Sequence, residues 1–145
     1  MLNALPLIAI MIIVYNILAF GGGLIGVGDG GMAAFLSSEW LKIQLVNDTW
    51  IFTPGDLIVT LTLFALFLEI IKATQTNHIS IINHGLSMLV FVVALIEFIV
   101  LPGFATSAFF LITMMALVDV MAGFTVSIVT ARRDIGADGG LFGGG

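Results

Sequence analysis

"TSAFFLITMMALVDVMAGFTVSIVT", Thr106 to Thr130, decides how the chain is read. It carries a single charged side chain, Asp119, in 25 residues. As a helix it would be about 37 Å long, enough to cross a hydrocarbon core of about 30 Å. The rest of the chain agrees. Hydrophobic residues make up 60% of it, charged residues 9%, and the mean hydropathy is +1.23. Such values lie far outside the range of soluble domains, so the chain is expected to be an integral membrane protein. Its 145 residues suit one transmembrane domain, residues 1–145, with no separate soluble domain. The absence of cysteine excludes disulfides, thiolate metal sites and thiol nucleophiles. Four Lys and Arg against nine Asp and Glu leave no basic footprint for nucleic acid, and that class is dropped.

Three further apolar runs precede this one. The first, within 5–25, reaches Ile25 only through Gly21, Gly22 and Gly23 and is expected to be short or tilted. No Lys or Arg precedes it, so it reads as a retained helix rather than a signal peptide. The second, 56–74, follows Pro54-Gly55, with Asp56 as the expected N-cap and Lys72 in the last turn. The third, 81–101, stops at Pro102-Gly103, and the fourth is 106–130. The pattern predicts an all-α membrane protein, a four-helix transmembrane bundle.

The side shared by the ends of spans two and four carries Lys72, Arg132, Arg133, His78 and His84. The other has only Lys42 among Asp29, Glu39, Asp48 and Asp56. The positive-inside rule then predicts both termini in the cytoplasm, with Lys72, Arg132 and Arg133 anchoring at headgroups.

Residues 26–55 are therefore expected outside. "GGGLIGVGDGG", Gly21 to Gly31, superficially resembles a phosphate loop, but no strand precedes it and no Lys-Ser/Thr closes it. A connector is the better reading. "MAAFLSS", Met32 to Ser38, reads as a short interfacial helix. "LKIQLVNDTWIF", Leu41 to Phe52, alternates apolar and polar residues around Asn47-Asp48, the pattern of a β-hairpin. This predicts a small extracytoplasmic β-hairpin between helices one and two, with Trp40 and Trp50 at headgroup level or docking a partner.

On the fourth span Thr106, Thr113, Ala116, Asp119, Gly123, Ser127 and Thr130 recur at steps of seven, three or four and form one small, polar face for helix packing. Asp119 lies 13 residues from both Thr106 and Arg132, about 20 Å from each end and so near mid-membrane. An ionised carboxylate there costs about 3 kcal/mol on insertion scales, so an unpaired Asp119 is expected to be neutral and to donate a hydrogen bond. Asn16, Thr62 or a backbone carbonyl are its expected partners. The second span shows Thr62, Ala65, Glu69 and Lys72, with Glu69 able to pair with Lys72. The third offers Asn83, Ser87, Ala94 and Glu97, and the first Asn16. These residues serve either helix packing or an ion path of Glu69, Asp119 and Glu97 at three depths. His78 and His84 are six residues apart, lack the one-turn spacing of a zinc pair, and read as facing solvent or headgroups. No metal or other cofactor is expected. The tail 134–145, "DIGADGGLFGGG", is too glycine-rich to fold alone. A partner that pinned it would hold Leu141 and Phe142.

"GDLIVTLTLFALFLEIIKAT", "INHGLSMLVFVVALIEFIVLPGFATSAFF" and "ALVDVMAGFTVSIVTARRDIG" resemble a family of small four-span bacterial inner-membrane proteins of no established activity. The resemblance covers spans two to four and implies a bacterial inner-membrane, multi-pass protein. It transfers no active site.

With no nucleophile-base arrangement in view, the expected function is non-enzymatic. The chain reads as a structural or accessory subunit that contacts membrane lipids and self-associates or joins a larger membrane complex. The alternative is a small proton- or cation-conducting protein using its intramembrane carboxylates.

Overall fold

The structure is a computed structural model that describes residues 5–25, 30–73 and 78–138, and their side chains except at 23–25, 78–82, 127 and 130–138. Its elements are α1 (Leu7–Ile25), α2 (Gly31–Leu36), β1 (Leu41–Gln44), β2 (Thr49–Phe52), α3 (Pro54–Ala73), α4 (His78–Val100) and α5 (Ser107–Asp138). Among the described residues, three stretches are long and apolar enough to cross a membrane: Pro54–Ala73, Asn83–Val100 and Ser107–Val126. The first expected span differs, since its apolar part, Leu7–Gly22, is shorter than the other three.

α5 is central, packing against both α3 and α4, while α1 lies mainly on α3 and also touches α4 and α5. The shared core comprises Ile8, Ile12 and Tyr15 of α1, Ile58 and Leu66 of α3, Ala94 of α4, and Phe109, Ile112 and Ala116 of α5. Phe104 joins it from the turn before α5, stacked edge-on against Phe109 at 4.9 Å and tilted against Tyr15 at 5.4 Å. Outward positions are as apolar as inward ones: Phe64 and Phe67 on α3, Ile99 on α4 and Met121 on α5 are all exposed. Water does not tolerate a continuous apolar surface of this kind, and lipid does.

The helix ends show why the elements start and stop where they do. α3 begins two residues earlier than expected, because Thr53 and not Asp56 is the N-cap. Thr53 Oγ1 accepts from the Asp56 amide at 3.2 Å, and Asp56 Oδ2 accepts from the Thr53 amide at 2.9 Å. This is a reciprocal capping box, with Pro54 at the first helical position where its missing N–H costs nothing. Thr106 does the same for α5, accepting from the Phe109 amide at 3.2 Å. Gly103, at φ +85, makes the left-handed turn between α4 and α5 that a side chain would strain. α5 runs eight residues past its expected end at Thr130. Ala131, Arg132 and Arg133 continue the helix readily, so the tail expected from residue 134 is helical as far as Asp138. At about 48 Å, α5 is longer than a hydrocarbon core is thick.

The hairpin forms as the alternation predicts. β1 and β2 pair antiparallel, Leu41 opposite Phe52 and Gln44 opposite Thr49, and the Leu45 amide donates to the Asp48 carbonyl at 2.8 Å across the turn. Only Ile43 and Phe52 are partly buried, so neither face of the sheet has a core of its own. The one short helix expected over Met32–Ser38 is α2, which buries Met32 and Leu36 beneath the hairpin end of the molecule.

Replacing the α3 cap, Thr53→Ala, is predicted to cost about 1 kcal/mol of stability, measured by reversible unfolding in mixed micelles. Wild-type stability in that variant would show that the capping box is not what starts α3.

Candidate functional site

On α3, Thr62, Leu66, Glu69 and Ala73 fall at helical spacing and are all buried. Glu69 is completely enclosed, and three donors converge on its carboxylate. The Leu7 amide reaches Oε2 at 2.9 Å, Lys72 Nζ reaches Oε1 at 3.2 Å, and Asn83 Nδ2 also donates to Oε1. Leu7 is the first residue of α1, where backbone N–H groups lack helical partners and the helix dipole is positive, so Glu69 caps a helix 62 residues away. Lys72, expected as a headgroup anchor, also donates to the Leu5 carbonyl at 3.1 Å and to Asn83 Oδ1 at 3.4 Å. Its side chain remains 28% exposed, which makes it the network's contact with the exterior.

Next to this network lie Asp119 of α5 and His84 and Ser87 of α4, each more than nine-tenths buried. Among the described residues, Ser87, Glu69, His84 and Lys72 lie near the Asp119 carboxylate. Ser87 Oγ and His84 Nε2 are both buried without a hydrogen-bond partner among the described residues. The His84 ring is seated against the backbone of Gly123, where an added Cβ would stand 2.3 Å from Nδ1. Glycine is needed here for close approach.

These positions revise several expectations. His84 does not face solvent or headgroups: it is buried against α5, on the same inward face of α4 as Ser87 three residues on. That i, i+3 spacing was the available signal. The His78 side chain lies outside the described residues. Asp119 is not paired with Asn16 or Thr62. Asn16 Nδ2 donates to Glu97 Oε2 and to the Ile12 carbonyl, both at 3.0 Å, and Thr62 donates to the Ile58 carbonyl of its own helix at 2.7 Å.

Asp119 lies near Glu69, but Glu97 stands apart, 13 residues along α4 from His84 or about 20 Å at the helical rise. Between the two groups lie Ile12, Leu66, Ala94, Ile112 and Ala116. The hydroxyl of Thr113 in that layer donates to its own helix, to the Phe109 carbonyl at 2.9 Å.

The small face of α5 is turned inward, with Thr113, Ala116, Asp119 and Gly123 all buried within the chain. Thr106 caps its helix instead and bonds the Tyr15 hydroxyl at 2.6 Å. Trp40 and Trp50 are exposed beside the hairpin and on β2. Arg132 and Arg133 lie on the extension of α5, with side chains outside the described set, as are those of Ser127 and Thr130. Leu141 and Phe142 lie beyond the described residues altogether. Among the described residues no group of three or more His, Asp and Glu is arranged to hold a metal ion.

Comparison with known protein families, with curated proteins and with solved structures found no match.

The contact between His84 and Gly123 carries a prediction. Gly123→Ala should destabilise the protein by about 1–3 kcal/mol through overpacking. Adding His84→Ala should return part of that loss, as read from a double-mutant cycle in micelles. Strict additivity of the two changes would rule out the contact.

Proposed function

We propose that the chain is a four-helix transmembrane bundle of the bacterial inner membrane, with both termini cytoplasmic and the hairpin outside. It acts as a non-enzymatic accessory subunit of a larger membrane assembly. The observation that carries this reading is the hairpin. A two-stranded sheet with no core is marginal in water, and this one leaves Trp40, Leu41, Val46, Trp50 and Ile51 exposed. Aromatic side chains presented on short strands are well suited to anchor a protein contact. The small face of α5 supports intramolecular packing rather than self-association, since α3 and α4 already cover it. The inner-membrane assignment draws on the resemblance of spans two to four to small four-span bacterial proteins.

Conduction through the bundle is the weaker alternative. A conducting path needs polar groups or water across the whole thickness. The Glu69–Asp119 group and the Asn16–Glu97 pair are separated by an apolar layer whose threonines are bonded within their own helices.

Gentle detergent extraction and mass measurement of the intact particle test the reading. A heteromeric particle is expected, and it should fall apart in a Trp40→Ser/Trp50→Ser variant that still folds. A monomer, or a homo-oligomer indifferent to both tryptophans, would contradict it. Reporters fused at either terminus should remain cytoplasmic, and a periplasmic signal from the C-terminus would overturn the orientation.

A further inference from the structure

Because α1 lies mainly on α3, an open groove of about 330 Å³ is left between α1 and α4. Its walls are apolar, with Ile13 and Ile17 on one side and Leu89 and Val93 on the other, all exposed on the outside of the bundle. From Leu89 to Glu97 it runs about 12 Å at the helical rise. The polar residues lining it are Asn16 and Glu97, at the hairpin end, and Glu97 is three residues from the end of α4 at Val100. An apolar run beneath one polar end has the polarity of a lipid molecule.

The bonding at the polar end selects the headgroup. Asn16 Nδ2 uses both its hydrogens, on Glu97 Oε2 and on the Ile12 carbonyl. Among the described residues Glu97 Oε1 and Asn16 Oδ1 accept no hydrogen bond, so this end of the groove offers acceptors and no donor. Charge points the same way. Glu97 lies in the last turn of α4, the negative end of the helix dipole, and no basic residue stands in that turn. Among the described side chains the lysines are engaged elsewhere, Lys42 with Glu39 and Lys72 with Glu69.

We propose that the groove between α1 and α4 binds a phospholipid with a primary ammonium headgroup. Its acyl chain lies along Ile13, Ile17, Leu89 and Val93, and its ammonium donates to Glu97 and Asn16. A primary ammonium brings positive charge and N–H donors together, whereas a trimethylated one has the charge and no donor. A phosphate with no ammonium would meet only acceptors and negative charge. The proposal rests on the bundle lying in a bilayer and not on the accessory-subunit role. A monomeric particle that carried the lipid would therefore end that role and leave this site standing.

Native mass spectrometry of the full-length protein released from nanodiscs tests it, with phosphatidylethanolamine, phosphatidylcholine and phosphatidylglycerol compared at equal amounts. One tightly held phosphatidylethanolamine per chain is expected. Glu97→Gln should weaken its binding about tenfold, the loss of one charge-assisted hydrogen bond. Leu89→Trp, which fills the groove from an exposed position far from Glu97, should also displace the lipid, and it serves alone if Glu97→Gln does not fold. Equal retention of the three lipids, or retention unchanged by these variants, would overturn the assignment. A photo-reactive side chain in place of Val93 identifies the occupant in native membranes. An adduct with phosphatidylethanolamine is expected, and an adduct with another polypeptide would make the groove a helix-docking site and end the lipid assignment.

Discussion

The arrangement of this protein depends on how one carboxylate, that of Glu69, is accommodated away from water. An unpaired ion in such a position costs several kcal/mol, and a single salt bridge does not reliably recover that. Here the charge is met by three donors from three parts of the chain: the first amide of α1, the amide of Asn83 on α4, and Lys72 one turn along α3. Two of these donors tie other helices to α3, the Leu7 amide holding α1 and Asn83 holding α4. The carboxylate also supplies a cap that the start of α1, which has no acidic residue in its first turn, does not provide for itself.

Once α1, α3 and α4 are held at that end, α5 has a defined slot. Its small residues Ala116 and Gly123 allow close approach, and Asp119 is carried into the polar group instead of into lipid. At the hairpin end a different device works. Tyr15 bonds Thr106 and the Gly103 carbonyl, and its ring packs on Phe104 and Phe109, so the turn before α5 is pinned to α1. The two polar ends are joined by an apolar middle. This division is the ground for proposing a scaffold over a through-path.

Much of this was legible in the sequence because membrane spans and hairpins are local patterns. Runs of apolar residues about 20 long, the alternation from Leu41 to Phe52, and the recurrence of Thr113, Ala116, Asp119 and Gly123 need no tertiary information. What was not legible was pairing at a distance. Nothing near Leu7 announces that its amide will meet Glu69, and Asn16, expected to pair with Asp119, bonds Glu97 instead. The reading of His84 failed for a related reason. Nearness to a span's end favours the headgroup region on average, but the facing glycine on α5 creates a place for a ring that only the packed helices reveal. The missed caps, Thr53 and Thr106, were local signals outweighed by a neighbouring Asp in one case and by apparent membership of a polar stripe in the other.

The central claim is that Glu69 organises the bundle as a fully bonded charge. The most direct test compares the unfolding free energies of Glu69→Ala and Glu69→Ala/Lys72→Met in a bilayer-mimetic. The single change should cost about 3–5 kcal/mol, since it strands Lys72 and frees the start of α1, and the second should recover part of that by removing the stranded charge. A Glu69→Ala protein as stable as wild type would contradict the account.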